Sequence, residues 1–245
     1  MTNYDNLPHM LKSRNRFCCW RYEQRNDRKT KVPYDPVTGR RARSDDPSTF
    51  QDFATAVAAV SSYNGIGFLV GDEVCAIDLD DCFTEDDCLK PAAAAVVDSF
   101  TGSYMERSPS GKGLRIIFTA TGFVFEKAKY YINNRKYGLE VYVAGATNRF
   151  VTLTGNVYRE GEVLDQSEAL QIVLDKYMMR PATTVKPAAA IHGQSYLSDE
   201  SVVEKASIAQ HSERFKALWQ GDTTGYASPS EADLALCSTL AFFCS

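Results

Sequence analysis

The sequence lacks the features of a secreted or membrane-spanning protein. None of its apolar runs reaches the roughly 20 residues that a helix needs to cross a bilayer. The N-terminal stretch MTNYDNLPHM also lacks the basic region followed by an apolar region that forms a signal peptide. We therefore expect a soluble, cytoplasmic protein without a membrane partner.

Paired cysteines and paired histidines are missing as well. The seven cysteines are an odd number in no C-x-x-C spacing, which favours free thiols over disulfides or a zinc site. The three histidines, His9, His192 and His211, form no His-x-His pair. A rolling-circle replication nuclease would need such a pair around its metal, so this enzyme class is disfavoured.

The sequence has the composition of a globular protein, and its charges are unevenly distributed. The 245 residues are 44% hydrophobic, enough for one large domain with or without a smaller one. The net charge is −4, yet residues 12–43 carry eleven Lys and Arg against three Asp and Glu. This stretch favours binding of a polyanion, with a solvated basic face as the alternative. Its aromatic residues Trp20, Tyr22 and Tyr34 could stack on bases or belong to the core.

An apolar stretch that ends in carboxylates, VCAIDLDDC at residues 74–82, has the pattern of a strand. Alternation would put Asp78 and Asp80 on the same face, about 6 to 7 Å apart along the backbone. A hard cation between them would relieve their repulsion, because Mg²⁺ takes oxygen ligands. An EF-hand loop is excluded, since Phe83 stands where that loop needs glycine. A solvated acidic strand end is the other interpretation.

A loop rich in Gly and Ser, SPSGKG at residues 108–113, lies between two predicted strands. Its backbone N–H groups, hydroxyls and ammonium could surround phosphate oxygens. The candidate ligands in it are Ser108, Ser110, Gly111 and Lys112. It is not a Walker A loop, because a glutamate replaces the first glycine and a glycine follows the lysine. A plain turn is the alternative.

Two later strands also carry charged residues. Glu140 interrupts the apolar strand GLEVYV and faces either solvent or a site. Arg149 begins the strand RFVTLTG and is a further candidate phosphate contact.

The hydrophobic pattern predicts a mixture of strands and helices. Hairpins are expected over residues 16–34 and 65–80, and the second would deliver the two aspartates. Helices are predicted over residues 50–60, 84–100, 167–178 and 232–244. Residues 180–194 have the Pro- and Ala-rich composition of a linker. The helical pattern then stops without a terminator, which is typical of a piece of a longer protein.

Three motifs, AIDLDD, then ERSPSGKGLRI, then GLEVYV followed by RFVTLTG, resemble those of the archaeo-eukaryotic primase superfamily. The resemblance is to its phage- and plasmid-encoded primase-polymerases and covers about residues 10–180, with Trp20, KVPYD and GIGF as additional matches. The runs FKALWQGD and SPSEADLAL near the C-terminus are similar to a helical module of deep-sea vent phage-type polymerases.

The resemblance implies an α+β fold, with an RRM-like mixed or antiparallel sheet flanked by helices and followed by a small all-α module. It implies a catalytic domain over residues 1–180, a linker over 181–197 and a truncated helical bundle over 198–245. Asp78, Asp80 and Glu140 would be catalytic and bind Mg²⁺ or Mn²⁺. The nucleotide would be bound by Ser108, Ser110, Gly111, Lys112, Arg115 and Arg149. Arg115 stands where many members have His, which preserves phosphate binding but removes a titratable imidazole.

The leading functional hypothesis is therefore a DNA primase-polymerase of a phage or mobile element in a bacterial host. It would transfer nucleotidyl groups from nucleoside triphosphates along a single-stranded DNA template, and its parent protein would carry a helicase-type C-terminal region. The first alternative is a non-catalytic nucleotide- or nucleic-acid-binding module, which the three intact acids argue against. A template-independent nucleotidyltransferase would carry Gly-Ser shortly before its Asp-x-Asp, and this chain has none there.

Overall fold

The computed structural model describes residues 3–25, 28–181, 198–209, 212–226 and 228–243. The chain divides into two compact units, Met1–Thr183 and Thr184–Ser245. The strands are β1 (Phe17–Arg25), β2 (Arg28–Tyr34), β3 (Gly65–Leu69), β4 (Val74–Leu79), β5 (Tyr104–Arg107), β6 (Leu114–Thr119), β7 (Asn133–Asn134), β8 (Leu139–Tyr142), β9 (Phe150–Leu153) and β10 (Val157–Arg159). The helices are α1 (His9–Lys12), α2 (Phe53–Ala59), α3 (Pro91–Ser99), α4 (Ser167–Val173), α5 (Asp199–Ile208), α6 (Glu213–Trp219) and α7 (Pro229–Phe243). The predicted linker, apart from residue 181, lies outside the described residues.

The first sheet is antiparallel and has the strand order β2-β1-β3-β9. The hairpin of β1 and β2 confirms the one predicted at residues 16–34. Alternation along β1 directs Phe17 and Cys19 into a core that also contains Phe68 of β3 and Ala56 of α2. Trp20 therefore lies on the opposite face of this sheet.

The second sheet has the order β10-β5-β6-β4-β8-β7, and all its paired strands are antiparallel. One face is apolar: Ile77, Ile116 and Val141 pack with Val97 of α3 and Leu170 of α4. Helices thus cover one face of an antiparallel sheet, which confirms the expected α+β class.

The hairpin predicted for residues 65–80 is wrong, because β3 and β4 belong to different sheets. β3 pairs with β1 and β9, whereas β4 pairs with β6 and β8. The short turn between them passes the chain from one sheet to the next, with Asp72 and Glu73 at positive φ. A short connection favours a hairpin only where neither strand has better partners elsewhere.

Two predicted helices begin later than expected. The helix predicted from residue 84 begins at Pro91, and Thr84 instead accepts a hydrogen bond from the Cys88 amide in a turn. The helix predicted from residue 50 begins at Phe53, where Asp52 caps it by accepting a hydrogen bond from the Thr55 amide. The first of these helices thus begins with a proline at its first position, and the second begins after a capping aspartate.

The second unit contains α5, α6 and α7. Its described core includes Val202, Phe215, Leu218 and Ala232. Ser228 caps the last helix, since its hydroxyl oxygen accepts a hydrogen bond from the Glu231 amide. Among the described residues, no helix is both long enough and apolar enough to cross a membrane.

The turn before β8 fixes the chain directly after β4. The Asp80 amide donates to the Gly138 carbonyl at 2.7 Å. Gly138 has a φ of +60°, and a Cβ there would lie 2.6 Å from the Asp80 carbonyl oxygen. Only glycine meets both requirements without strain.

We expect Gly138→Ala to lower the free energy of unfolding by more than Gly122→Ala. Both substitutions incur the cost of about 1–2 kcal/mol for a left-handed residue. At Gly122, with a φ of +70°, a Cβ would meet nothing within 4 Å, so only Gly138→Ala adds a clash with backbone. Urea unfolding of the two variants measures the difference, and equal losses would contradict the close approach at Asp80.

Candidate functional site

A row of polar residues crosses the second sheet on the face opposite its apolar core. Pairing places Asn133 of β7 opposite Glu140, Glu140 opposite Asp78, Asp78 opposite Arg115, and Arg115 opposite Glu106. Residues directly opposite one another share a face and lie within side-chain reach. The sheet therefore gathers residues from three separate sequence motifs into one line.

The centre of this row is a buried ion pair. The Arg115 Nη2 donates to Asp78 Oδ2 at 3.3 Å, and the side chains are 2% and 15% exposed. Asp78 Oδ1 and the Arg115 Nε and Nη1 atoms are buried and have no partner among the described residues. Because unpartnered buried polar groups are costly, these atoms mark a place for a polar ligand.

Glu140 lies in this row and is half-buried. Its carboxylate accepts hydrogen bonds from the side-chain amide of Asn133 and from the Tyr142 hydroxyl. Neither partner carries a charge, so the carboxylate remains available as a negative group beside Asp78.

Asp80 follows β4 and lies at the edge of the row. Asp80 is exposed, yet partial desolvation of its carboxylate raises the pKa of Asp80, and the charges of Asp78 and Glu140 raise it further, while Lys31 and Arg115 oppose the shift. Asp80 and Glu140 together line a cavity of about 690 Å³ whose wall also contains Arg135. The charges of Asp78 and Glu140 thus favour the protonated form of Asp80.

The carboxylate oxygens of these acids are suitable ligands for a divalent cation, but the side chains are not arranged as a complete metal site. Asp78 offers a buried carboxylate oxygen without a partner, and hard cations prefer such oxygens. Within the described part of the chain, however, no three Asp, Glu, His or Cys side chains are grouped closely enough to hold a metal ion.

A second cavity, of about 470 Å³, lies beside the ion pair and is rich in cations. Its lining includes Asp78, Glu140, Arg115, Arg149, Lys31 and Thr152. The structure thus brings Arg115 and Arg149 together with two of the predicted acids. We call it the charged cavity.

Lys31 and Thr152 were not among the predicted site residues. Burial lowers the pKa of Lys31, as does the nearby Arg115, while Asp78 and Asp80 oppose the shift. The Thr152 hydroxyl oxygen is buried and has no partner among the described residues. Lys31 is one of eleven cations in a basic stretch and begins the KVPYD match, but neither observation predicted a role for it in the site.

The Gly-Ser loop lies apart from the charged cavity. Ser108, Ser110 and Gly111 line a third cavity, and the Ser108 hydroxyl oxygen accepts from the Gly113 amide at 3.0 Å. Lys112 is exposed and lines neither of these two cavities. The predicted phosphate ligands are therefore divided between two places, and the role of the loop stays a prediction.

Glu106 is a buried acidic side chain. In the sequence it served only to show that the Gly-Ser loop is not a Walker A loop. Its carboxylate accepts from the Thr154 and Gly155 amides at 2.9 Å each and from the Tyr104 hydroxyl at 3.0 Å. Burial raises the pKa of Glu106, while Arg115 is the strongest opposing influence. Glu106 thus anchors the turn after β9 and flanks Arg115 on the side away from Asp78.

Fold and site together describe an α+β protein in which a cation-lined cavity lies beside a set of carboxylates. No family model matches the chain. The sequence is 28% identical over 240 residues to the DNA primase-polymerase of Nitratiruptor phage NrS-1, a match over 96% of this chain and 31% of that protein. The resemblance to a phage-type primase-polymerase is confirmed, and the chain spans less than a third of its relative's length.

We expect Glu106→Gln to destabilise the first unit by about 1–3 kcal/mol, the cost of leaving a buried hydrogen-bonding group unsatisfied. The side-chain nitrogen of the new glutamine would face a backbone N–H group that now donates to the carboxylate, and two donors cannot bond to each other. Urea unfolding of the full chain, followed by far-UV circular dichroism, measures the loss.

The matched control is Glu85→Gln, because Glu85 is exposed. It should change the unfolding free energy by less than about 0.5 kcal/mol, as exposed substitutions usually do. Equal stabilities of the Glu106 and Glu85 variants would show that the buried carboxylate does not hold the turn.

Proposed function

We propose that this chain is the nucleotidyl-transferring part of a DNA primase-polymerase. One observation carries the proposal: Glu140, Asp78 and Arg115, from three separate motifs, lie opposite one another on three neighbouring strands. The phage relative, a DNA primase-polymerase, supports the same function. The substrates would be nucleoside triphosphates and a single-stranded DNA template.

In this proposal the charged cavity binds the triphosphate. Lys31, Arg115 and Arg149 line it and together supply three positive charges. Arg115 also has two buried N–H groups without a partner, and a guanidinium binds phosphate oxygens bidentately. The hydroxyl of Thr152 is a further polar contact on the same wall.

Asp78, Asp80 and Glu140 would hold Mg²⁺ or Mn²⁺ beside that cavity. A bound divalent metal would supply charge stabilisation for phosphoryl transfer. In the reaction, the 3′-hydroxyl group would lose its proton to solvent, its oxygen would bond to the α-phosphorus, and the bond from the α-phosphorus to the bridging oxygen would break. Pyrophosphate leaves, and the cations of the cavity stabilise its charge.

The proposed domain division follows the sequence expectation. Residues 1–180 would form the catalytic domain and 198–245 the start of a helical module. In a longer parent protein, a helicase-type region would then follow.

We expect Asp78→Ala combined with Asp80→Ala to abolish nucleotide incorporation in a primer-extension assay, because two of the three carboxylates are lost. The matched control replaces the exposed Glu85 and Asp86 by alanine, which removes the same amount of charge close by. Circular dichroism verifies the fold of both variants. Incorporation at the wild-type rate by the Asp78 and Asp80 variant would exclude the assigned roles.

Lys31→Ala should raise the dissociation constant of a nucleoside triphosphate by about tenfold or more, the loss of one charge-assisted contact. Lys112→Ala should have a smaller effect, because Lys112 is exposed and outside the charged cavity. Calorimetry compares both with Lys127→Ala, a control at another exposed lysine. A large effect of Lys112→Ala alone would instead place the triphosphate at the Gly-Ser loop.

A non-catalytic nucleotide-binding module is the second candidate function. It is favoured by the pairing of Asp78 with Arg115 and by the lack of a three-ligand metal cluster among the described residues. A chain that binds nucleoside triphosphates through Lys31 but incorporates none would support this candidate.

A further inference from the structure

The cavity that holds the Gly-Ser loop differs from the charged cavity in its chemistry. It has a volume of about 740 Å³ and is formed by the N-terminal turn, Trp20, Asn64, the Ser108–Gly111 loop and residues 153–157. No Asp, Glu, Lys or Arg among the described residues lines it. We call it the neutral cavity.

The indole of Trp20 is the clearest sign that the neutral cavity takes a ligand. Trp20 is 2% exposed, and its Nε1–H has no acceptor among the described residues. Gly65 lies directly opposite on β3, and a Cβ there would be 2.8 Å from this nitrogen. The indole nitrogen is thus buried against Gly65, and a ligand acceptor that reached it would remove the cost of the unpartnered donor.

Asparagine amides supply further polar groups on the wall. The Asn64 Oδ1 accepts from the Tyr22 amide at 2.9 Å, so the orientation of this side chain is fixed. Asn6 is fixed likewise, because its Nδ2 donates to the Gly155 carbonyl at 3.1 Å. The Nδ2 of Asn64 and the Oδ1 of Asn6 form no hydrogen bond with another described residue, so the wall offers both a donor and an acceptor.

The two cavities lie on consecutive parts of β9 and on either side of Trp20. Thr152 lines the charged cavity, and Leu153 with Thr154 lines the neutral one. The Lys31 ammonium, from the charged cavity, lies 5.9 Å from the centre of the Trp20 ring. A cation-lined wall therefore adjoins an uncharged, amide-lined one.

We propose that the neutral cavity binds a nucleobase. Such a ligand is flat and uncharged and carries donors and acceptors on its edge, which asparagine amides recognise. The volume lies in the range of small-molecule sites. A phosphate would find hydroxyl and amide groups on the described wall but no cation to balance its charge. The choice of a nucleobase as the ligand rests on the proposed function. The base comes either from a free nucleotide or from a DNA strand.

The test uses the two indole N–H resonances of the 245-residue chain in a proton–nitrogen correlation spectrum. Trp20 reports on the neutral cavity, and the exposed Trp219 of the second unit is an internal reference. Trp20→Phe assigns the signals. Deoxynucleosides, a single-stranded oligonucleotide, the same strand with abasic sites, and inorganic triphosphate are titrated without metal.

We expect the Trp20 signal to shift saturably with nucleosides or with the intact oligonucleotide, while the Trp219 signal stays in place. A shift with nucleosides identifies a free nucleotide as the source. A shift only with the strand that has bases identifies the strand. Inorganic triphosphate should not move the Trp20 signal.

Asn64→Asp keeps the acceptor for the Tyr22 amide but removes the amide donor and adds a charge, so it should weaken binding by about tenfold, one lost hydrogen bond. Asn148→Asp at an exposed position is its matched control and should bind as the wild type does. Gly65→Ala, which covers the indole, provides a second variant if Asn64→Asp unfolds.

An unmoved Trp20 signal with every base-containing probe would overturn the proposal, as would an equal shift with inorganic triphosphate. Because no metal or polymerisation is involved, these outcomes are independent of the incorporation assay. Loss of nucleobase binding with intact incorporation refutes only this inference, whereas the reverse refutes only the proposed function.

Discussion

The register of β4 between β6 and β8 is the constraint on which the site depends. Because side chains alternate, a slip by one residue would exchange the two faces of the strand. Ile77, buried with Ile116 and Val141, holds the register, since exposing it would forfeit about 1.5–3 kcal/mol of burial free energy. The same register places Asp78 between Arg115 and Glu140. The apolar core on one face thus determines which charges meet on the other.

The charges in that row support one another. Arg115 is almost fully buried, which is tolerable because a carboxylate lies on each side of it, Asp78 and Glu106. Glu106 in turn is held by two backbone amides and a tyrosine hydroxyl. Arg115 gives the site a planar guanidinium, whose donors match two phosphate oxygens at once.

The sequence predicted the strands and the shared face of the motif residues well, because both follow from short-range alternation. It failed where pairing depends on distant partners: β3 and β4 are close in sequence but join different sheets. Lys31 and Thr152 were missed for the same reason, since only the arrangement of the two sheets brings them to Asp78. The metal and nucleotide roles of the predicted residues stay predictions.

Binding of a nucleotide's triphosphate in the charged cavity beside Asp78 is the central proposal. The most direct measurement is a crystal structure of this chain with Mn²⁺ and a non-hydrolysable nucleoside triphosphate, with anomalous scattering to locate the metal. We expect triphosphate density in contact with Lys31 and Arg115, and an anomalous peak at the carboxylates of Asp78, Asp80 and Glu140. Triphosphate density at the Ser108–Gly113 loop, with no peak at these acids, would contradict it.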